Sequence, residues 1–243
     1  AAVKEAGLNE NPRALSDASA ILASTHGSSG FCSEYYTQIV REGPLSANPV
    51  LFAEGVPNAA AAHLSATLGI RGGCQTIIGS RTAGLDALGL ASLRIGAGDC
   101  HCVLVGASEE THPMVDRAYR SLALHRHEDG TGPGFASTPG GVAFLVESST
   151  AAVQRGARPL ARISGFASAA HSQRGPARTV ARVLSSLGPA EHIIGSRNGT
   201  WIDRAEALAF RGLDHRPVVH TPCDRTGELF SAGPLLGIAW ALA

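Results

Sequence analysis

The 243-residue chain is 44% apolar, and its 20 lysines and arginines balance 20 aspartates and glutamates. That is enough apolar material for one substantial core or two modest ones, which excludes a disordered chain, and the lack of a basic stripe or acidic block excludes an electrostatic footprint for nucleic acid or an anionic membrane surface. The longest apolar run, residues 233–243, falls short of the roughly 20 residues that span a bilayer, and no basic-then-apolar signal pattern opens the chain. Five scattered cysteines, an odd number, make no disulfide framework. The expectation is a soluble cytoplasmic protein that selects its partners by shape.

Short apolar runs alternate with helical patterns along the chain. Residues 20–24 (AILAS) read as a buried strand, 32–41 as a helix, 58–68 as an alanine-rich helix and 74–78 as a second strand. Residues 82–95 come next as a helix in which Leu85, Leu88 and Leu93, with Ala83, Ala87 and Ala91, make a broad buried stripe. Residues 102–105 and 142–146 are two further strands. Between them, residues 125–141 are rich in glycine, proline and charge, the pattern of a long exposed loop. After Pro159 the segment LARISGFAS reads as strand-like, 177–187 as helix, 192–195 as strand, 203–210 as helix, 218–220 as strand and 233–243 as a closing helix. This alternation implies a layered α/β fold with mostly parallel strands.

The segment GCQTIIGSRTAGLDALGLASLRIGAGDCHCVLVGA, residues 73–107, holds a strand that breaks at Gly79 and feeds directly into a helix. Such a turn faces the first helical N–H groups and the positive end of the helix dipole, a geometry that suits a nucleophile or an anion. Ser80 lies on the turn, but a serine nucleophile needs a base and helix N-capping is its ordinary role. Cys74 lies several residues back on the strand, where a small buried cysteine is the ordinary reading. Cys100, His101 and Cys102 alternate across a strand with no second ligand pair spaced for zinc. His125, His127, Glu128 and Asp129 read as a solvated loop before a cation site, and glycines 27, 30 and 43 make no dinucleotide fingerprint. No metal and no cofactor is expected.

The elbow resembles that of the β-ketoacyl synthases, members of the thiolase-like superfamily, in which a cysteine opens the helix and small residues come after it. Counting back from Gly98 in GAGDCHCVLVGA places Arg81 at the cysteine position, with Thr82, Ala83 and Gly84 behind it. AGLDALGLASLRIGAG is especially similar to the chain-length factors of aromatic polyketide systems, in which a glutamine replaces the cysteine. AAVKEAGL, ASAILASTHGS, GPLSANPVLFAEGVPNAAAAHLSATLGIRG and PGGVAFLVESSTAAVQRGARPLARISGFAS resemble further segments in the family's order. SRNGTWIDRAE resembles the family's His-Gly-Thr-Gly-Thr loop, keeping Gly199, Thr200, Asp203 and Glu206 but with Ser196 at the histidine and one residue fewer before Asp203. CDRTGELFSAG resembles the lysine and glycine-histidine loop, with Cys223 at the lysine and Glu228 at the histidine.

The resemblance implies a thiolase-like α/β fold, layered α-β-α-β-α with mixed, mostly parallel sheets and truncated at both ends. It implies an N-terminal ketosynthase-like half (1–158) carrying the degenerate elbow and a partial C-terminal half (159–243). Decarboxylative condensation needs a thiolate, two imidazoles and a helix N-terminus that lowers the thiol pKa. Arg81, Ser196, Cys223 and Glu228 supply none of these side chains. The resemblance therefore implies a catalytically inactive subunit of the chain-length-factor type, serving polyketide or fatty-acid-like elongation. It would pair through strand 74–78 with an active β-ketoacyl synthase, or with itself, and meet acyl carrier protein through that complex. Two readings stay open: a divergent acyltransferase or hydrolase using Ser80 or Cys74, and a homodimeric scaffold or ligand-binding protein. In the family's geometry the elbow and both histidine loops converge, which puts Glu228 within reach of Arg81, with Asp224 as the second candidate.

Overall fold

A computed structural model describes residues 1–8, 12–127, 129–170 and 175–243. Strand β1 (Ser19–Ser24) takes the interior of a four-stranded sheet, where its small and apolar side chains suit a strand covered on both faces. It pairs in parallel with β2 (Cys74–Ile78) on one side and β3 (Cys102–Glu109) on the other. Strand β4 (Gly140–Glu147) joins β3 in antiparallel, so the order is β2-β1-β3-β4. Two short strands, β5 (His192–Ile194) and β6 (Val218–His220), form a separate parallel pair.

The helices are α1 (Ala2–Glu5), α2 (Pro12–Ser16), α3 (Ser29–Glu42), α4 (Pro49–Gly55), α5 (Ala59–Leu68), α6 (Ala83–Ala97), α7 (Pro113–Ser121), α8 (Ser149–Gln154), α9 (Pro176–Leu187), α10 (Trp201–Arg211), α11 (Cys223–Thr226) and α12 (Ala232–Leu242). Helices α6 and α12 cover one face of the four-stranded sheet. Their core joins Ala83, Ala87 and Ala91 to Ile21, Val103, Val105 and Leu235. Gly84 lets the two helices meet, since a Cβ there would stand 2.2 Å from the carbonyl oxygen of Ser231. On the other face Ala20 and Leu104 pack with Leu15 and Ile70, flanked by Leu64 and Leu68 of α5.

The structure departs from the expectations in several places. LARISGFAS forms no strand: a strand exists through its ladder, and this segment runs unpaired, with Phe166 laid against Gly89 of α6. Leu93 points outward at 65% exposure, because the small residues of α6, and not its leucines, make the closest approach to the sheet. Cys74 is exposed, since β2 is an edge strand. The stretch 125–141 is only partly open: Phe135 is buried and bridges to His125, while Ser137 bridges to Glu228. Helices α4 and α7 went unanticipated although both carry proline in the first turn behind a side-chain cap, Asn48 and His112.

Candidate functional site

Strand β2 runs into the elbow at Gly79, whose N–H donates to Ser24 O at 3.1 Å, and Ala83 N closes the turn onto Ser80 O at 2.9 Å. Ser80 is engaged within this turn. Its Oγ accepts from Thr82 N at 3.2 Å and lies 2.8 Å from Thr82 Oγ1, which donates onward to Asp86. The N-cap of α6 is Thr82, without a side-chain cap bond, so Ser80 braces the turn and does not cap the helix.

Arg81 turns inward from the elbow. Its Nη2 donates to Glu228 Oε2 at 2.5 Å and its Nη1 to the carbonyl oxygen of Ser196 at 2.7 Å. The Arg81 side chain is 17% exposed and that of Glu228 only 1%. Glu228 is further held by Asn198 Nδ2 at 2.6 Å on the same oxygen and by Phe230 N at 2.8 Å on the other. Its backbone is locked by Glu228 N to Ala136 O and Thr138 N to Glu228 O, both 2.9 Å. Asp224 does not take the guanidinium of Arg81. Its carboxylate accepts from Thr221 Oγ1 at 2.7 Å and faces Arg197 at 3.9 Å.

The loop after β5 is fixed by Asp203, Thr200 and Glu206. Asp203 accepts from the N–H groups of Asn198 and Gly199, Thr200 caps α10, and Glu206 accepts from Ser196 N at 2.9 Å and from Ser196 Oγ. Gly199 adopts φ 85°, and a Cβ there would lie 2.4 Å from Gly134 O. Ser196 therefore contributes its carbonyl to Arg81 while its hydroxyl is spent on Glu206. Cys223 opens α11, and burial and then the charge of Glu228 push its thiol up, with Arg81 opposing. Sequence reasoning missed Asn198. Its signal is an amide directly before Gly199, inside the segment SRNGTWIDRAE that the sequence singles out.

A second buried carboxylate, also missed, stands at the end of β3. Glu109 accepts from Thr25 N, from Ser231 Oγ and from Ser24 Oγ, the last at 3.3 Å, and lies 3.3 Å from His26 Nδ1. Nε2 of the same histidine lies 2.9 Å from Tyr119 OH. Phe230, at φ 45°, sits edge-on to His26 and stacks on Tyr119. Burial acts to raise the Glu109 carboxyl, but hydrogen bonds from His26, Ser231 and Thr25 outweigh it and hold the group below the usual carboxylate range. Burial, then the charges of Glu228 and Glu109, push the Tyr119 phenol up.

The remaining candidates do not gather at this site. Cys102 has its thiol pushed up to about 12, by burial and then Glu147, which makes it a poor thiolate. His125 contacts Asp116 at 3.6 Å and Asp129 accepts from Thr131, while Glu128 lies outside the described residues. Among the described residues no three histidine, cysteine, aspartate or glutamate side chains come together as a metal site, and no helix is long and apolar enough to cross a membrane.

Residues 1–152 match the family described as the β-ketoacyl synthase N-terminal domain. The chain belongs to the β-ketoacyl synthase family. It is 30% identical over 199 residues to a putative polyketide β-ketoacyl synthase 2 of Streptomyces coelicolor, covering 71% of this chain and 47% of that protein. It is 25% identical over 226 residues to a 3-oxoacyl-[acyl-carrier-protein] synthase 2 of Mycobacterium tuberculosis, covering 81% and 54% respectively. The chain thus spans about half the length of the curated β-ketoacyl synthases it matches. Among solved structures it superposes at TM-score 0.84 and 22% identity on one chain of a complex described as a type II polyketide synthase acyl carrier protein with its ketosynthase bound to the hexaketide, covering 99% of this chain and 68% of that one. It superposes at 0.82 and 22% on the ishigamide ketosynthase/chain length factor, covering 99% and 65%. The ketosynthase fold, α/β with a mixed and mostly parallel sheet, is therefore this chain's fold.

Proposed function

We propose that this ketosynthase-family chain is a non-condensing subunit of the chain-length-factor type. In this reading it pairs with an active β-ketoacyl synthase and works on carrier-protein-bound acyl chains in polyketide or fatty-acid-like elongation. The observation that carries the reading is the guanidinium of Arg81 at the elbow, bound to Glu228 Oε2 and Ser196 O. An arginine stays charged and is not nucleophilic, and its bulk fills the space in which an acyl thioester would form. No imidazole stands at Ser196 or Glu228 to stabilise an enolate or its oxyanion, and the raised Cys223 thiol offers no replacement thiolate.

The open edge of β2 supports the pairing. Ala20 N donates to Gly73 O and Gly79 N to Ser24 O, so the alternation along β2 turns the amide of Thr76 away from β1. An edge strand with an exposed Ile78 invites another strand. The neighbours named above include a ketosynthase with its carrier protein and a ketosynthase/chain length factor.

Co-expression with a type II ketosynthase and mass spectrometry of the purified material test the reading together. The expected result is a stable complex and no acyl mass on residues 74–82 after exposure to acyl carrier protein thioesters. An acyl adduct on Ser80 or Cys74 would overturn it in favour of a divergent acyltransferase. Thr76→Pro removes only the outward donor and should dissociate the complex while leaving the fold intact; a complex of unchanged affinity would exclude this edge as the interface.

A further inference from the structure

Helices α9 and α10 carry arginines that neither the elbow nor the open β2 edge uses. The two helices pack against each other. Arg178 and Arg182, one turn apart, share an exposed face of α9, and Arg204 and Arg211 stand exposed on α10. Among the described residues none of the four guanidinium groups takes a hydrogen bond or an ion pair. The acids of these helices do not answer them. Helix α9 has none, and on α10 Asp203 accepts from the N–H groups of Asn198 and Gly199 and faces Arg197 at 3.4 Å, while Glu206 accepts from Ser196. The positive charge of this face is left uncompensated by either helix.

The exposed face of α10 is also apolar in part. Trp201 and Leu208 are 51% and 48% exposed, and the order Trp201, Arg204, Leu208, Arg211 advances by three, four and three residues, which puts all four on one stripe about 15 Å long. Apolar anchors alternating with cations at this spacing fit a helix laid alongside, with its own apolar stripe flanked by carboxylates. A phosphate backbone would pair with the arginines but leave Leu208 without a counterpart. We propose that the outward face of α9 and α10 docks an acidic amphipathic helix of a partner protein. Trp201 and Leu208 are the apolar anchors, and the four arginines pair with the flanking carboxylates and set the orientation. The surface is independent of pairing through β2, which is an edge of the other sheet.

The probe is a fluorescein-labelled amphipathic peptide, with leucines at heptad spacing flanked by glutamates, titrated with the full chain and read by fluorescence anisotropy. Binding is expected, and it should weaken as ionic strength rises from about 0.05 to about 0.5 M. The same peptide with glutamine in place of every glutamate should bind at least about tenfold more weakly. Arg204→Glu combined with Arg211→Glu should weaken binding of the acidic peptide by about tenfold or more, and Leu208→Ala by about fivefold. Arg71→Glu, the same charge change at an exposed position in the turn before β2, should bind as the parent does. Where charge reversal disturbs α10, glutamine at the same two arginines is the milder pair and should still weaken binding. No binding of the acidic peptide, equal binding of the glutamine peptide, undiminished binding by the Arg204 and Arg211 variants, or tighter binding of an oligodeoxynucleotide of equal charge would each overturn the proposal.

Discussion

Two buried carboxylates flank Phe230, and they are compensated in different ways. Glu228 faces a full positive charge, the Arg81 guanidinium, assisted by Asn198 and one backbone N–H. Glu109 is surrounded by hydroxyls, a backbone N–H and the His26 imidazole. The first arrangement depends on one long side chain reaching across from the elbow. The second spreads the same task over four groups on two segments, residues 24–26 and Ser231. A single substitution should therefore do most damage at Glu228, where removing the cation leaves a buried charge uncompensated.

The largest effect is expected at Arg81. Arg81→Ala should cost about 3–5 kcal/mol of unfolding free energy, the range for removing one partner of a buried ion pair. Glu228→Ala in the Arg81→Ala background should restore part of that loss. Additive values across the double-mutant cycle would mean that the two residues do not couple. A smaller loss is expected at the distributed site: Ser231→Ala removes one donor to an ionised carboxylate and should cost about 1.5–3 kcal/mol in a denaturant titration. If Ser231→Ala proved as damaging as Arg81→Ala, the contrast between the sites would fail.

The mildest test is acid. Glu109 has its folded pKa depressed, so the stability it contributes is fully present above the unfolded carboxylate value, about 4.3, and is lost as pH falls through the lower folded value. Unfolding free energy measured from pH 6 downward should decline below that point, and Glu109→Gln should flatten this part of the curve while lowering stability at pH 6. A Glu109→Gln profile parallel to the wild type would assign the acid sensitivity to another group.

Much of the site was legible because the elbow is local. A strand, a glycine and a run of small residues leading into a helix are encoded within residues 74–97, and this is where Arg81 stands out. Its partner was readable only through the family's order of loops, since 147 residues separate Arg81 from Glu228. The Glu109 cluster had no such guide. It draws on Ser24 at the end of β1, Thr25 and His26 just after it, Tyr119 on α7 and Ser231 before α12, and no short-range pattern links those segments.

Amphipathic and apolar periodicity, glycine breaks and cap residues determined most of the strands and helices of this chain, because those signals act over a few neighbouring residues. Tertiary structure alone decided that LARISGFAS stays unpaired, that Cys74 lies on an exposed edge and that Leu93 faces solvent. It also decided that Asn198 and the carbonyl of Ser196 join Glu228 around one guanidinium. Strand pairing, burial and the solvation of a buried charge are set by which distant segments come together, and that depends on packing the whole core at once.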